Sequence, residues 1–269
     1  MPSKLSEYPS RPFPAAPAPR FRVHVAPLGF EVDRLTRPAI SLYAEVVVIL
    51  TSSATDRSKA SDALELIRRE FKESRIKVEL VRTDLWDTPI VVNEVGGILQ
   101  SAPHHEYFFN ISTGPKPACI AGTLAADFWG IQAYYQPVDY EKPGANKVDY
   151  AVKGRPQFLT RFATPTPDTQ AMRALQYLVT RAEPTAKKDL LNHLKETGVI
   201  RAQAGAKAEK QSHYGQLDTI LGRLEGWGFV QSSGRRKGLR LEVSQAGKGG
   251  FKMFHHLVHP RDPLTSLLA

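Results

Sequence analysis

The chain has 269 residues, with 36 Lys and Arg against 27 Asp and Glu and a formal net charge of +9. Its one cysteine, Cys119, excludes an intrachain disulfide and a cysteine-based zinc cluster, which fits a reducing cytoplasm. No apolar run approaches the roughly 18 residues that a membrane span requires. We therefore expect a cytoplasmic protein with no membrane partner, which begins with a flexible proline-rich tail at 1–20.

The positive charge is concentrated in the last part of the chain. From Thr166 to Ala269 there are 16 Lys and Arg against 9 Asp and Glu, whereas residues 1–165 hold 20 against 18. A local excess of cations is typical of a surface that binds a polyanion such as DNA. Solubility alone is the alternative explanation.

The front half alternates short β-rich runs with helical stretches. Strands are predicted at 21–26, 45–51, 77–81, 106–111 and 131–135. Helices are predicted between them at 35–43, 56–74, 84–100 and 115–129. Pro38 is expected in the first turn of the first helix, and Asp84 or Asp87 is expected to cap the third. The run at 45–51 is almost continuously apolar, which is typical of a strand buried on both faces of a parallel sheet.

This alternation predicts an α/β fold with a Rossmann-like parallel sheet and helices on both of its faces. Right-handed crossovers place every strand-to-helix loop at the carboxyl edge of such a sheet. Ligands bind at that edge, near the point where the strand order reverses. The loops at 27–34, 51–55 and 112–116 are therefore the candidate ligand loops.

The loop after the fourth strand carries the clearest chemical signal. Gly114 permits close approach of a ligand to the backbone, while Ser112 and Thr113 offer hydroxyl groups. Pro115 suits the first helical position, and Lys116 adds a full charge beside the positive end of the helix dipole. Together these features predict an anion site, most naturally for phosphate. The alternative is an ordinary helix cap by Ser112 or Thr113, followed by an exposed lysine.

The loop after the first strand is the expected partner of this anion site. Gly29 again permits close approach, Phe30 can stack on a base, and Arg34 can contact phosphate. The alternative is that Phe30 belongs to the core and that Glu31 and Arg34 form a charge pair at the start of a helix.

Two segments resemble motifs of the CARF family, the CRISPR-associated Rossmann-fold sensors, and particularly its archaeal members with a C-terminal winged helix. Val23-His-Val-Ala-Pro-Leu-Gly-Phe-Glu-Val-Asp-Arg34 resembles the family's first strand and ligand loop. Asn110-Ile-Ser-Thr-Gly-Pro-Lys116 resembles its second motif. Pro115 stands where the family usually has Thr or Ser, so one hydroxyl that can contact a ligand is missing.

The resemblance implies a CRISPR-associated regulator in antiviral defence that forms a homodimer through its front domain. It also implies a cyclic oligoadenylate ligand, usually the tetra-adenylate, in a symmetric pocket where the two copies of each loop face one another. No cofactor and no metal are expected. The predicted ligand-binding residues are Leu28, Gly29, Phe30, Glu31, Arg34, Ser52, Ser112, Thr113, Gly114, Pro115 and Lys116.

Some members of the family also cleave their ligand slowly, by attack of a ribose 2′-hydroxyl on the adjacent phosphodiester. A ring nuclease in which Lys116 stabilises the developing charge is therefore an alternative to simple sensing. Neither ligand loop contains a histidine that can act as general base, and His104 and His105 precede the fourth strand at the opposite edge of the sheet. We therefore expect a sensor without catalytic residues. The absence of G-x-G-x-x-G argues against a nicotinamide-dependent dehydrogenase.

The back half has the element order of a winged helix-turn-helix domain. A short strand near 158–162 and a linker at 164–167 precede helices that are capped by Asp168 and Thr185. The later elements are a third helix at 212–226, a strand entered through 226–230, a basic turn at 232–238, a strand at 239–243 and a last helix at 247–256. Three helices followed by a basic hairpin predict a winged helix.

In a winged helix the third helix enters the major groove of DNA, and the hairpin contacts phosphates or the minor groove. The predicted DNA-binding residues are Ser212, His213, Gln216 and Thr219 on the helix and Arg235, Arg236 and Lys237 at the tip of the hairpin. The expected partner is double-stranded DNA. The alternatives are a winged helix that binds only protein, and a regulator whose pocket takes a different ligand or none.

These features divide the chain into three predicted regions. They are a proline-rich tail at 1–20, a CARF-like domain for ligand sensing and dimerisation at 21–163, and a winged-helix DNA-binding domain at 164–269. A ligand that bridges two front domains would alter the spacing of the two winged helices, and with it the affinity for DNA.

Overall fold

The computed structural model describes residues 21–52, 59–144, 150–201, 206–234, 238–264 and 267. The predicted tail and the three cations at the tip of the hairpin, Arg235, Arg236 and Lys237, lie outside the described residues. In the described parts of the chain, no helix combines the length and the apolar character that crossing a membrane requires.

The front of the chain alternates strand and helix, as predicted. Its elements are β1 (Arg22–Pro27), α1 (Val32–Ser41), β2 (Val46–Thr51), α2 (Lys59–Glu73), β3 (Lys77–Arg82), α3 (Thr88–Ser101), β4 (Glu106–Asn110), α4 (Lys116–Trp129) and β5 (Gln132–Tyr135). The five strands pair in parallel in the order β3-β2-β1-β4-β5. This topology confirms the predicted α/β class with a Rossmann-like parallel sheet.

Three short strands follow β5. A hairpin of β6 (Val138–Pro143) and β7 (Tyr150–Val152) was not among the predicted elements, because its sequence is largely polar and contains two prolines at 137 and 143. β8 (Gln157–Phe158) lies at the edge of the main sheet, antiparallel to β5, where a short strand was predicted.

The sheet is covered on both faces, which explains the apolar run of β2. Val46, Val48 and Leu50 pack toward α3 and α4, whereas Val47 and Ile49 pack toward α1 and α2. Every residue of β2 is buried. Full burial of an aliphatic side chain contributes about 1.5–3 kcal/mol, so this strand anchors both halves of the core.

The first helix begins three residues earlier than predicted. α1 starts at Val32, so Pro38 lies inside the helix and not in its first turn. A proline has no N–H, so the carbonyl of Arg34, four residues earlier, receives no helical hydrogen bond from it. That carbonyl accepts a hydrogen bond from Asn110 Nδ2 instead, at 2.9 Å. The helix therefore tolerates the proline because a side chain of another element satisfies the exposed carbonyl.

The back of the chain contains helices and one small sheet. Its elements are α5 (Thr169–Val179), β9 (Thr185–Ala186), α6 (Lys187–Glu196), α7 (Ala206–Gly226), β10 (Val230–Ser233), β11 (Arg240–Val243) and α8 (Gln245–Met253). β10, β11 and β9 form an antiparallel sheet in that order. A 3₁₀ turn at His255–Leu257 follows α8.

Three predicted details of this region are corrected and one is confirmed. Asp168 caps α5, since its Oδ1 accepts the Ala171 N–H at 2.8 Å. Thr185 is not a helix cap but lies in β9, paired with Leu241. The third helix starts at Ala206, six residues before the predicted start, and the last helix ends at Met253.

Three residues near the end of the described chain, His256, Arg261 and Leu267, pack against the front of the molecule. Asn93 Oδ1 on α3 accepts hydrogen bonds from the backbone N–H of His256 at 2.7 Å and from His256 Nδ1 at 3.2 Å. Glu94 pairs with Arg261 at 2.8 Å. Leu267 is buried in the core under the sheet, and His105 Nε2 donates to its carbonyl at 3.2 Å. The predicted division at 163/164 stays a prediction, but the end of the chain contributes to the front core.

A pair of glycines on α3 makes this close packing possible. A Cβ atom on Gly96 would lie 2.6 Å from His256 Nε2 and 2.7 Å from Trp129 Cζ2. A Cβ atom on Gly97 would lie 3.0 Å from Arg261 Cδ. Glycine costs about 1 kcal/mol relative to alanine inside a helix, so close approach of the rings offsets that cost here.

The variant Gly96→Ala tests this packing. Although alanine favours the helix, its methyl group would displace two ring side chains, and overpacking of this kind costs about 1–3 kcal/mol. We therefore expect the free energy of unfolding, measured by urea denaturation, to fall.

Gly222→Ala in α7 is the matched control. A Cβ atom there has nothing within 4 Å, so only the helix propensity changes. We expect this variant to be more stable than the wild type by about 0.5–1 kcal/mol. Equal stabilisation by both substitutions would contradict the packing described for Gly96.

Candidate functional site

The two predicted ligand loops meet at the reversal of strand order. β1 and β4 are adjacent parallel strands, and the helices that follow them, α1 and α4, lie on opposite faces of the sheet. A Cβ atom on Gly29 would lie 2.5 Å from the backbone nitrogen of Gly114. A Cβ atom on Gly114, whose φ is +79°, would lie 2.7 Å from Pro27 Cβ. Both positions therefore require glycine, one for space and the other also for its backbone conformation.

A buried asparagine holds the two loops in register. Asn110 ends β4, and its Nδ2 donates to the carbonyl of Arg34 while its Oδ1 accepts the Ser112 N–H at 2.8 Å. Both the nitrogen and the oxygen of the side-chain amide therefore form hydrogen bonds within the protein. Asn110 positions the first turn of α1 against the start of the second ligand loop.

The hydroxyl groups of this loop also bond to the protein. Thr113 Oγ1 donates to the carbonyl of Pro27 at 2.7 Å, and Ser112 Oγ accepts the Gln136 N–H at 2.6 Å. Ser112 and Thr113 are 4% and 1% exposed. Their observed role is to shape the loop, whereas a direct contact with a ligand stays a prediction.

The start of α4 presents one charged group and few backbone donors. Pro115 is the N-cap of the helix and not its first residue, and neither Ser112 nor Thr113 caps it. Because Pro115 and Pro117 lack an N–H group, only Lys116 supplies a free backbone donor among these three residues. Lys116 is exposed at the first helical position. An anion at this edge would therefore depend on the lysine side chain more than on the helix N-terminus.

Two further charges and a thiol lie beside this edge. The guanidinium of Arg34 lies 5.1 Å from the centre of the Tyr135 ring, which is a cation–π contact. Burial raises the pKa of the Cys119 thiol, and the nearby carboxylate of Glu31 raises it further, while Arg34 opposes the shift. Cys119 Sγ donates to the carbonyl of Thr113 at 3.2 Å. The structure thus brings Glu31 and Arg34 to the predicted site.

The remaining predicted ligand residues differ in exposure. Leu28 is buried, and its N–H donates to the carbonyl of Leu50 at 2.8 Å, so its side chain belongs to the core. Phe30 is 46% exposed, which favours the proposed stacking role over the core role. Ser52 lies directly after β2 and is half-buried, and the rest of its loop, 53–58, lies outside the described residues.

Sequence reasoning missed the turn between β3 and α3. Asp87 caps α3 by accepting the Ile90 N–H at 3.1 Å, whereas Asp84 accepts the Trp86 N–H at 3.0 Å. Thr88 Oγ1 donates to the carbonyl of Pro117 at 3.2 Å, which brings this turn against the start of α4. The turn follows a parallel strand, and this position in the sequence was the signal that could have placed the turn at the ligand edge.

A buried histidine in β1 lies in the sheet beside Asn110's neighbour Tyr134. His24 is 1% exposed, its Nδ1 lies 3.0 Å from the Tyr134 hydroxyl, and its ring stacks on Phe108. Burial, with a smaller contribution from Arg22, lowers the pKa of His24 to about 3. Burial also raises the pKa of Tyr134, and a hydrogen bond with Asn110 opposes that shift. Neutral polar groups thus connect the core with Asn110.

A cavity beside the sheet lies away from the predicted site. A cavity of about 590 Å³ opens at the amino edge, between the ends of α3 and α4 and the 3₁₀ turn. His105 and His256 are among its lining residues. His104 is exposed beside it, so neither His104 nor His105 approaches the ligand loops, as the sequence predicted. Within the described residues, no group of three or more His, Cys, Asp or Glu can hold a metal ion.

One of the predicted DNA-binding residues is placed wrongly. His213 is only 5% exposed, because it continues the buried stripe of Leu217, Ile220 and Leu224 at helical spacing. It therefore cannot reach a base edge without a rearrangement of α7. The sequence prediction counted it on the polar face although position 213 lies one turn before Leu217.

The other predicted residues of α7 lie on its outer side. Ser212, Gln216 and Thr219 share one face at spacings of four and three residues, and Thr219 is exposed. Gln216 Nε2 donates to Ser212 Oγ at 3.2 Å and to the carbonyl of Arg201 at 3.1 Å. Asp218 pairs with Lys187 of α6 and fixes the helix from the side.

Comparison with known proteins gives one family model and one curated relative. A family model described as "HFX_2341_N:-like, N-terminal" matches residues 22–140. The uncharacterized protein MJ1513 of Methanocaldococcus jannaschii is 32% identical over 109 residues, which is 39% of this chain and 32% of that protein. The chain therefore spans about a third of the length of this relative.

Solved structures with a similar arrangement were also found. Can2 from Sulfobacillus thermosulfidooxidans in complex with cyclic tetra-adenylate matches with a TM-score of 0.39 and 13% identity. The match covers 88% of this chain and 66% of the Can2 chain. Enterococcus italicus Csm6 bound to cyclic hexa-2'-fluoro-hexa-dAMP matches with a TM-score of 0.44 and 9% identity. The match covers 77% of this chain and 56% of the Csm6 chain. At such TM-scores neither likeness carries an argument about function.

The variant His24→Leu tests the buried polar group. Above pH 6.5 the histidine is neutral in both states. As the pH falls from 6.5 toward about 3, the unfolded chain takes up a proton that the folded protein does not. The wild type thereby loses about 1.4 kcal/mol of stability per pH unit from this residue. We therefore expect the free energy of unfolding of the wild type, measured by urea denaturation, to fall by about 2 kcal/mol more than that of the variant between pH 7 and pH 5. If the free energy of unfolding fell equally with pH in the wild type and in His24→Leu, His24 would accept the proton in the folded protein too, and the prediction would be wrong.

Proposed function

We propose that this protein is a ligand-responsive, DNA-binding transcriptional regulator that senses a cyclic oligoadenylate, in a CRISPR-associated antiviral role. One observation carries the proposal. The two loops whose sequences resemble CARF motifs meet backbone to backbone at Gly29 and Gly114, with an exposed Lys116 beside them at the reversal of strand order.

The chemistry of this edge suits a phosphate-bearing ligand. Lys116 supplies a full charge at the positive end of α4, and Arg34 in the first turn of α1 supplies a second charge beside Tyr135. Phe30 adds an exposed aromatic surface for a base. Phosphate and base contacts side by side are what a nucleotide requires.

The site is an open edge in one chain, which favours a dimer. A cyclic tetra-adenylate repeats its phosphates about a two-fold axis, and a homodimer would supply Lys116 from each protomer. Two copies of the rim facing each other would enclose the ligand. The proposed ligand and the proposed homodimer thus support one another by symmetry.

The back of the chain supports the DNA-binding part of the proposal. Its order α5-β9-α6-α7-β10-β11, with β11 between β9 and β10, is that of a winged helix. α7 would be the recognition helix, with Ser212, Gln216 and Thr219 on its outer side. The connection between β10 and β11 would be the wing, which carries Arg235, Arg236 and Lys237.

Ligand binding and DNA binding would be linked through α3 and α4. α4 begins at the ligand edge, and its last residue, Trp129, contacts His256 with ring centres 5.4 Å apart. α3 begins beside α4 and holds His256 and Arg261 through Asn93 and Glu94. The orientation of the front domains in a dimer would therefore set the spacing of the two winged helices.

Lys116→Ala tests the ligand site by calorimetric titration with cyclic tri-, tetra- and hexa-adenylate. Loss of a charge-assisted contact costs about 1.5–3 kcal/mol, so we expect affinity for cyclic tetra-adenylate to fall at least about tenfold. Lys116→Arg, which keeps the charge, should stay within about fivefold of the wild type.

Lys72→Ala, at an exposed position on α2 away from the loops, is the control and should bind as the wild type does. A wild-type protein that binds none of the three rings would contradict the proposal. So would a Lys116→Ala variant with unchanged affinity.

Alanine at Arg235, Arg236 and Lys237 together tests the wing. With a duplex of arbitrary sequence, followed by fluorescence anisotropy at several salt concentrations, affinity should fall. The slope of log affinity against log salt should decrease by about 2–3, because about as many phosphate contacts are lost.

The control replaces three exposed cations of α2, Arg68, Arg69 and Lys72, by alanine and removes the same charge elsewhere. Equal losses in the two triple variants would mean that net charge and not the wing attracts DNA. No DNA binding by the wild type at low salt would favour the protein-binding alternative.

A further inference from the structure

A large aromatic side chain lies exposed at the ligand edge. Trp86 follows β3 in the turn to α3, and it is 72% exposed. Because β3 is parallel to β1 and β4, this turn lies at the same carboxyl edge as the two ligand loops. Tryptophan is enriched at binding interfaces, because its large ring is apolar while its N–H group can still form a hydrogen bond.

The turn that carries Trp86 has a fixed backbone. Asp84 accepts the Trp86 N–H through its Oδ1, and its carbonyl accepts the Asp87 N–H at 3.3 Å. Asp87 in turn caps α3 through the Ile90 N–H. The indole is therefore presented from an ordered turn, which lowers the entropic cost of stacking on a ligand.

The same turn is attached to the anion site. Thr88, two residues after Trp86, donates its hydroxyl to the carbonyl of Pro117 at 3.2 Å. Pro117 directly follows Lys116 in the first turn of α4. Trp86 and Lys116 thus extend from two backbone segments that are in hydrogen-bond contact.

We propose that Trp86 is a base-stacking residue of this site, and that its indole packs on a purine while Lys116 pairs with a phosphate of the same ligand. The proposal rests on the proposed function and extends it to the β3–α3 turn. Asp84 precedes the indole by two residues, and its carboxylate disfavours a phosphate there, whereas the carboxylate of Asp87 is paired with Lys252 at 3.3 Å. An uncharged base meets no such penalty, and aromatic faces accept any base.

The carboxylate of Asp84 also disfavours a second copy of the chain as the occupant. A two-fold contact through this turn would bring the carboxylate of Asp84 against the same carboxylate of its partner, while Asp87 is already paired with Lys252. Like charges at such an interface are unfavourable. Stacking on a nucleotide base therefore accounts for the exposed indole better than a two-fold protein contact does.

The experiment compares Trp86→Ala and Trp86→Phe with the wild type in titrations with cyclic tetra-adenylate. We expect the alanine variant to bind about five- to hundredfold more weakly and the phenylalanine variant to stay within about threefold. Ligand should quench the tryptophan emission of the wild type, and Trp86→Phe should lack that quench. Tyr43→Ala removes an aromatic side chain of 76% exposure at the opposite edge and should bind normally.

The outcomes separate this inference from the proposed function. If Lys116→Ala weakens binding but Trp86→Ala does not, the stacking role is overturned and the ligand site stands. If the wild type binds no cyclic oligoadenylate, both fail. If light scattering shows that Trp86→Ala lowers the oligomeric mass of the free protein, the indole belongs to a protein interface and the inference is overturned.

Discussion

The side-chain amide of Asn110 holds together the edge of the sheet at which the strand order reverses. Pro38 cannot donate to the carbonyl of Arg34, and Asn110 Nδ2 takes the place of the missing helical donor. The other end of the same amide holds the N–H of Ser112. α1 and the loop before α4 are thus fixed to one side chain, and the glycine contact between the loops follows from that. Loss of this amide would leave two buried backbone groups unsatisfied, each at a cost of about 1–3 kcal/mol.

The front sheet could be predicted from the sequence because its central strands are buried on both faces. The apolar run of β2 and the helical spacing of α2 are patterns that the sequence displays directly, whichever distant elements cover them. The β6–β7 hairpin and the two residues of β9 could not be predicted in this way, since neither has an apolar period. The start of α1 was placed too late because Pro38 indicates a first turn by the usual rule, and only a distant asparagine makes it acceptable inside a helix.

The candidate site was predicted in outline but not in its internal chemistry. Glycine and lysine in a strand-to-helix loop indicate an exposed anion site, and the structure brings Gly114 and Lys116 together with the first loop. The sequence could not show that the hydroxyls of Ser112 and Thr113 bond to backbone groups of other segments, because those partners are 24 and 86 residues away. Nor could it show that the turn at Trp86 contacts α4. His213 was misplaced for a different reason, since its helical position already pointed to the core.

The insertion of Leu267 beneath the sheet has a consequence for how the molecule folds. His105 and Leu267 are 162 positions apart, yet they share a hydrogen bond inside the hydrophobic layer that covers β1 and β4. That layer is not complete until Leu267 has left the ribosome, so during synthesis part of the apolar surface of the sheet stays uncovered until then. Contacts of such high sequence separation slow folding, and they couple the stability of the front core to that of the back of the chain.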